Sequence, residues 1–446
     1  MIEVFTKKVL LACVTFLLVL LASGAALGQT VEEEIQTLCN ESPQVLEFWH
    51  GFRSGAPREA LENLTLEFDR ANRGQICVKP ISQGSYRDLS TKILAASAAG
   101  ELPVLAQGFE NNIATYLAAG VVSDLESIGV SAEGLYDNFV EAVRWDGTLY
   151  GIPFNKSVHV LYYNRDLLLE SADALAEAGI PENEDGVRVP TTVDEFIAAS
   201  SVLTATYGEP VYWFRPSDLA TYEDWFWTLG GSYFDDAGNL TLNSETGVEA
   251  LELLVSFVHE LGIARPITDG SFINENFATG VFGFATDTTA GYRFYLRAAE
   301  FDVGLATMPG RNPGTIGASV FQGTNILVFN TASSEDQNAA AEYINFLIAP
   351  QINAVFATAT GYAPLGNAAA MEPGFELYLD DNPDFSAIID QLPAARFEPN
   401  LPEWEQIRFD ILGQAIVKAV LQEATPQEAL DEAQAATEAL LAGETR

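Results

Sequence analysis

The chain has 446 residues, of which 48% are hydrophobic and 27 are Phe, enough apolar surface for two domains with separate cores and too much for a disordered chain. Its 62 acidic and 22 basic side chains leave a formal net charge of −40. That balance argues against a nucleic-acid partner, since no cluster of Lys or Arg is available to neutralise a phosphate backbone. It does not forbid a small anion, because surface charge is screened beyond roughly 8–10 Å in ordinary salt and a local Arg then decides.

In chain order, residues 1–28 read as an export signal. Lys7 and Lys8 give the positive end, Val9 to Leu21 an apolar stretch too short to span a bilayer comfortably, and Ala26-Leu27-Gly28 a small-residue cleavage site. Two cysteines follow it, Cys39 and Cys77. In an oxidising compartment an even pair favours a disulfide over two free thiols. Cys39 stands just ahead of a predicted strand, Val45–Trp49, and Cys77 at the start of another, Gln75–Ile81; parallel pairing of the two strands would let the sulfurs meet.

Helical spacing at Leu61, Leu64 and Phe68 predicts a helix over Pro57–Ala71. Tyr86–Ala99 reads as a second helix, Val104–Gln107 as a third strand and Asn111–Ala119 as a third helix. This βαβαβ run predicts a parallel sheet flanked by helices, with ligands beyond the carboxyl ends of its strands. A second region begins near Leu149. Tyr150 to Asn155 breaks the pattern, then Val158–Tyr163, Val281–Ala285 and Ile326–Phe329 read as strands. Thr192–Thr204, Thr246–Leu261 and Glu335–Ile348 read as helices, and Thr425-Pro426-Gln427-Glu428 opens a terminal one with a capping box.

Motifs of catalysis are missing. The three histidines, His50, His159 and His259, have no metal-pair spacing, and no Walker loop, strand-following GxGxxG or GxSxG elbow occurs. Short polar and aromatic motifs are scattered instead: Gln83-Gly84-Ser85-Tyr86, Gly108-Phe109-Glu110, Pro153-Phe154-Asn155-Lys156-Ser157, Gly361-Tyr362-Ala363-Pro364 and Gln406-Ile407-Arg408. Tyr86 can stack or hydrogen-bond, or simply pack at a helix start. Glu110 suits the dipole at a helix start with or without a ligand. Ser157 and Thr288 offer hydroxyls, and Gly323 admits a close backbone approach. Tyr362 lies in a loop fixed by Gly361 and Pro364. Arg408 can hold a phosphate bidentately, or form a salt bridge with one of the many carboxylates. Together these read as a pocket assembled from distant segments, for capture of a molecule and not its conversion.

On those motifs the chain resembles the extracytoplasmic solute-binding proteins of ABC importers, the large sugar-binding group. Phe48-Trp49-His50 is similar to the family's first-strand motif, and Tyr86-Arg87-Asp88-Leu89 through Gly100-Glu101-Leu102-Pro103 to its tyrosine-to-turn stretch. Pro153 to Asn164 is similar to its crossover segment, Pro190-Thr191-Thr192-Val193-Asp194-Glu195 to a helix start with Val in place of Trp, and Gly361-Tyr362-Ala363-Pro364 to its Thr-Gly-Tyr-x-Pro motif. Likeness is greatest to members that bind glycerol-3-phosphate. The resemblance implies an α/β fold of two lobes, type II, each a mainly parallel sheet flanked by helices. It assigns residues 29–147 and 322–365 to the N-terminal lobe and 148–321 and 366–446 to the C-terminal one.

It also implies a monomer without cofactor or catalysis, located in the periplasm or at the cell surface, delivering a small solute to permease subunits. Carried over residue by residue, the site falls on Tyr86, Glu110, Ser157, Thr288, Gly323, Tyr362 and Arg408, with Thr288 replacing a Ser. Arg408, unneutralised by acids, and three hydroxyls would hold a phosphate, and Glu110 would take glycerol hydroxyls. Lys156 replaces a small polar residue and would add charge near the ligand. Trp213, Trp225 and Trp227 are offset from the family's cleft tryptophans, which opens room for a glycerophosphodiester. A neutral-sugar receptor and a secreted hydrolase are the alternatives.

Overall fold

A computed structural model describes residues 30–269, 273–277 and 282–443; the export signal falls outside the described residues. The chain divides into two compact units. The first comprises residues up to Gln107 with Leu125–Ser131 and Leu327–Leu347; the second comprises Gly108–Asp124, Ala132–Ile326 and the chain from Ile348 onward. The division differs from the sequence-based one in placing 108–124, 132–147, 322–326 and 348–365 in the second unit. Local hydrogen bonds account for this: Ala363 N donates to Lys156 O at 2.7 Å and Tyr136 N to Leu365 O at 2.8 Å.

The first unit opens with α1 (Val31–Glu41), which sequence reading left unassigned. Thr30 caps it with a capping box to Glu33. Strands β1 (Gln44–His50), β2 (Ile76–Ser82) and β3 (Leu105–Gly108) alternate with helices α2 (Ala56–Ala71) and α3 (Tyr86–Ala99). Both β2 and β3 pair in parallel with β1, as the alternation predicts. Cys39 lies on α1, just ahead of β1. It is bonded to Cys77 on β2, with Cα atoms 5.1 Å apart and a sequence separation of 38. A bridge of that span contributes about 2–4 kcal/mol. It sits in a core with Ile35, Leu38 and Leu66.

In the second unit, α4 (Glu110–Ala118) follows β3, and β4 (Ile152–Asn164) is buried over all 13 residues. The sequence predicted a break through Asn155; instead the strand runs through Pro153, because its partner strand tolerates the missing donor with a register shift at Thr324/Asn325. Further on come α5 (Val193–Tyr207), β5 (Tyr212–Phe214), α6 (Leu219–Thr228), α7 (Glu245–His259), β6 (Ala264–Pro266), β7 (Phe284–Thr288), β8 (Val303–Ala306) and β9 (Ser319–Val328).

Strands β7, β8 and β9 run antiparallel to β4, while β5 is parallel to β6 and β7. Helix α7 buries Val248, Leu251, Leu254 and Phe257 at helical spacing. Each such burial is worth roughly 1.5–3 kcal/mol. Trp225 and Trp227 belong to this core, and Trp213 packs on Phe282 with ring centroids 3.8 Å apart.

Candidate functional site

Six of the seven predicted site residues lie in the second unit; Tyr86 lies in the first. Tyr86 opens α3 behind the Ser85 cap, and its ring packs on the Gly51 backbone and edge-on to Phe52 at 6.2 Å.

Glu110 and Lys156 form a buried ion pair. Glu110 begins α4, where the helix end favours a carboxylate. The Lys156 ammonium, with a side chain 0% exposed, donates to Glu110 Oε1. Asn325 Nδ2 donates to the same oxygen at 3.0 Å and to Gly108 O at 3.2 Å. Burial lowers the Lys156 pKa, against the pull of the Glu110 charge and hydrogen bond. Glu110 therefore does not stand free for ligand hydroxyls as expected, and Lys156 spends its charge on Glu110.

Ser157 and Thr288 do come together. Residues alternate faces along a strand, and residues opposite each other in an antiparallel pair share a face. His159 is opposite Thr288, and Ser157 lies two residues back on the same face of β4. Thr288 Oγ1 donates to Ser157 Oγ at 2.9 Å. Tyr162 Oη donates to Thr288 O at 2.8 Å, which anchors the end of β7.

Tyr362 and Gly323 border this patch through the backbone. Gly361 caps the helix Pro350–Thr360 at φ 91°, and a Cβ there would lie 2.7 Å from Thr289 O. The loop is thereby pressed against the residue after Thr288. Tyr362 is buried and stacks on Phe356, with ring centroids 5.7 Å apart. Gly323 also has φ 91°, and a Cβ would fall 1.7 Å from Asn155 O. Its glycine is thus required by the β4–β9 contact itself.

Arg408 stands in a π-helical turn, Ile407–Leu412, between Trp404–Gln406 and the helix Gly413–Val420. Its Nη1 donates to Glu398 at 2.8 Å, and Nη2 lies 3.9 Å from Asp218 at the start of α6. The acids have therefore neutralised it, contrary to expectation. Glu223, fully buried on α6, accepts from Tyr233 Oη at 2.7 Å. Burial pushes the Glu223 carboxyl well up, with the Glu398 charge acting the same way and Arg408 opposing. Burial likewise raises Glu398, against Arg408. Arg408 Nε has no hydrogen-bond partner among the described residues, while Trp404 and Glu223 both hydrogen-bond to the Glu398 carboxyl. Buried polar atoms are ordinarily satisfied, so this cluster has the makings of a binding surface.

Helix α6 links the two clusters: Asp218 at its start faces Arg408, and Asp224 lies 2.9 Å from His159 Nδ1. Sequence reading tested His159 only for metal spacing and missed it. Its place two residues from Ser157 on a strand was the signal available.

Among the described residues no helix is long and apolar enough to cross a membrane. A family model described as bacterial extracellular solute-binding protein matches residues 64–385. The chain is 25% identical over 410 residues to the sn-glycerol-3-phosphate-binding periplasmic protein UgpB of Salmonella typhimurium, covering 86% of this chain and 90% of that one. UgpB of Rhizobium meliloti is 24% identical over 361 residues, 76% and 79% of the two chains. Among solved structures, UgpB from Mycobacterium tuberculosis in complex with glycerophosphocholine has a TM-score of 0.76 at 24% identity, covering 91% of this chain and 100% of that one. The cyclic alpha-maltosyl-1,6-maltose binding protein of Arthrobacter globiformis has a TM-score of 0.75 at 22% identity, covering 90% and 99%.

Proposed function

The chain belongs to the bacterial extracellular solute-binding proteins, and from that premise we propose that it captures a glycerophosphodiester or sn-glycerol-3-phosphate and delivers it to an ABC permease from the periplasm or cell surface. The observation that carries the reading is the paired Ser157 and Thr288 hydroxyls in the same unit as Arg408, linked to it through α6. Hydroxyls and a guanidinium are the donors that a phosphate requires. The names of the relatives support the ligand class.

The charges favour the diester within that class. Arg408 and Glu398 cancel, and Asp218 remains 3.9 Å from the guanidinium. A monoanionic phosphodiester is repelled less there than a dianionic monoester. Glycerophosphocholine also brings a cation that the acids can face.

One observation favours a second reading. Because Arg408 is already paired, the acids around it suit the hydroxyls of a neutral sugar, and sugar-binding proteins share the fold. Side-by-side calorimetric titration with glycerophosphocholine, sn-glycerol-3-phosphate and maltose decides. The expected order is glycerophosphocholine tightest, sn-glycerol-3-phosphate next and maltose weakest. Binding of maltose alone would overturn the phosphate reading.

A further inference from the structure

His159 is a buried imidazole whose hydrogen bonding is half complete. Its side chain is 2% exposed, and Nδ1 lies 2.9 Å from Asp224 Oδ2. Its Nε2 has no hydrogen-bond partner among the described residues. A carboxylate on one ring nitrogen fixes the ring and leaves the other to act. The patch around it is the Ser157–Thr288 pair, since His159 is the direct cross-strand neighbour of Thr288. Asp224 is itself held by a backbone hydrogen bond from Val320, and Thr221 Oγ1 on the same α6 lacks a partner among the described residues.

The ring's charge follows from what faces it. Burial by itself lowers its pKa, but Asp224, in contact, and the charges of Asp218 and Asp287 raise it to about 9. At neutral pH the ring is an imidazolium, and Nε2 carries a proton to donate.

We infer that His159 is a ligand-binding residue, its Nε2–H donating to an oxygen of the captured solute while Asp224 holds the ring in place. The inference rests on reading Ser157 and Thr288 as ligand contacts. It adds a third donor, and a second cation besides Arg408, to the solute-facing wall of this unit.

The test uses the full chain. With three histidines, long-range nitrogen–proton NMR resolves each ring during titration with glycerophosphocholine, sn-glycerol-3-phosphate and maltose. Calorimetry is run in parallel on wild type, His159→Asn and His159→Gln. Asn keeps a donor near Asp224 but has no atom at the Nε2 position, whereas Gln restores an amide nitrogen there. We expect the His159 Nε2 resonance to move with whichever solute binds, H159N to weaken that solute at least tenfold, and H159Q to recover part of the loss. The NMR arm holds even if a variant fails to fold. A solute that binds without moving Nε2, or that binds H159N as tightly as wild type, overturns the inference. Maltose binding alone defeats the phosphate reading and leaves His159 to be judged on maltose by the same two criteria. No binding by any of the three overturns both.

Discussion

Lys156, fully buried, and Arg408, partly buried, are both cations beside a glutamate in the second unit, but their surroundings differ. The ammonium of Lys156 meets Glu110, whose oxygen also takes the Asn325 amide; of that group only Asn325 Oδ1 lacks a partner. Arg408 meets Glu398, which Trp404 and Glu223 also reach, yet its own Nε lacks a partner among the described residues. A buried pair with its valences filled holds structure together, and one with valences left over has capacity for something else. On that contrast we propose that the first cluster is structural and that the second, with His159, serves binding.

Breaking each pair tests the contrast. Lys156→Met leaves Glu110 as an uncompensated buried charge and should cost about 3–5 kcal/mol of stability, read from urea unfolding. An unchanged midpoint would remove Lys156 from the structural class. Arg408→Ala should weaken the phosphate ligand by about 2–5 kcal/mol, measured by calorimetry on protein shown to be folded by circular dichroism. Loss of folding with no specific loss of binding would place Arg408 with Lys156.

A third buried charge, in the first unit, sharpens the contrast because it faces no cation. Asp69 is fully buried and accepts from Val78 N at 2.8 Å. Burial raises its pKa to about 7, with the Val78 hydrogen bond opposing. Since the folded state holds this proton more tightly than the unfolded chain, stability should fall as pH rises from about 4 to 7, by at most about 4 kcal/mol. Asp69→Asn should flatten that slope in unfolding curves taken across the range; a slope that persists would mean another group titrates. The smallest expected effect is that of Ser157→Ala, which removes one neutral hydrogen bond and should weaken ligand by about 1 kcal/mol with stability little changed.

Much of the fold could be read from the residues because local rules were strong. Tyr86–Ala99 is bounded by a Ser85–Asp88 capping box and Gly100 in the left-handed region, and Thr425–Glu428 opens the final helix as its motif predicts. Helix α1 went unassigned although Thr30 and Glu33 carry the same signal. The proline in β4 hid the N-terminal part of that strand, before Val158, since sheet register and not local propensity decided it. Of the site, the Ser157–Thr288 contact was foreshadowed by residue type. The partners of Arg408 and Glu110 were not. Asp218, Glu398 and Lys156 meet them from distant positions among 62 acids and 22 bases, and composition cannot say which acid reaches which base.

The π turn carrying Arg408 has a consequence for how the chain tolerates length changes. A π turn holds about one residue more than an α turn and is commonly a one-residue insertion into a regular helix. Removing one residue between Ile407 and Leu412 would wind the segment back to α geometry, leaving the flanking turns nearly in phase but re-aiming the side chains of the bulge itself. The guanidinium would then swing off Glu398 while the apolar contacts downstream stayed in phase. If Arg408 holds the solute as proposed, chains shortened by one residue at this spot would fold alike and lose it, a sorting rule that needs only an alignment of lengths.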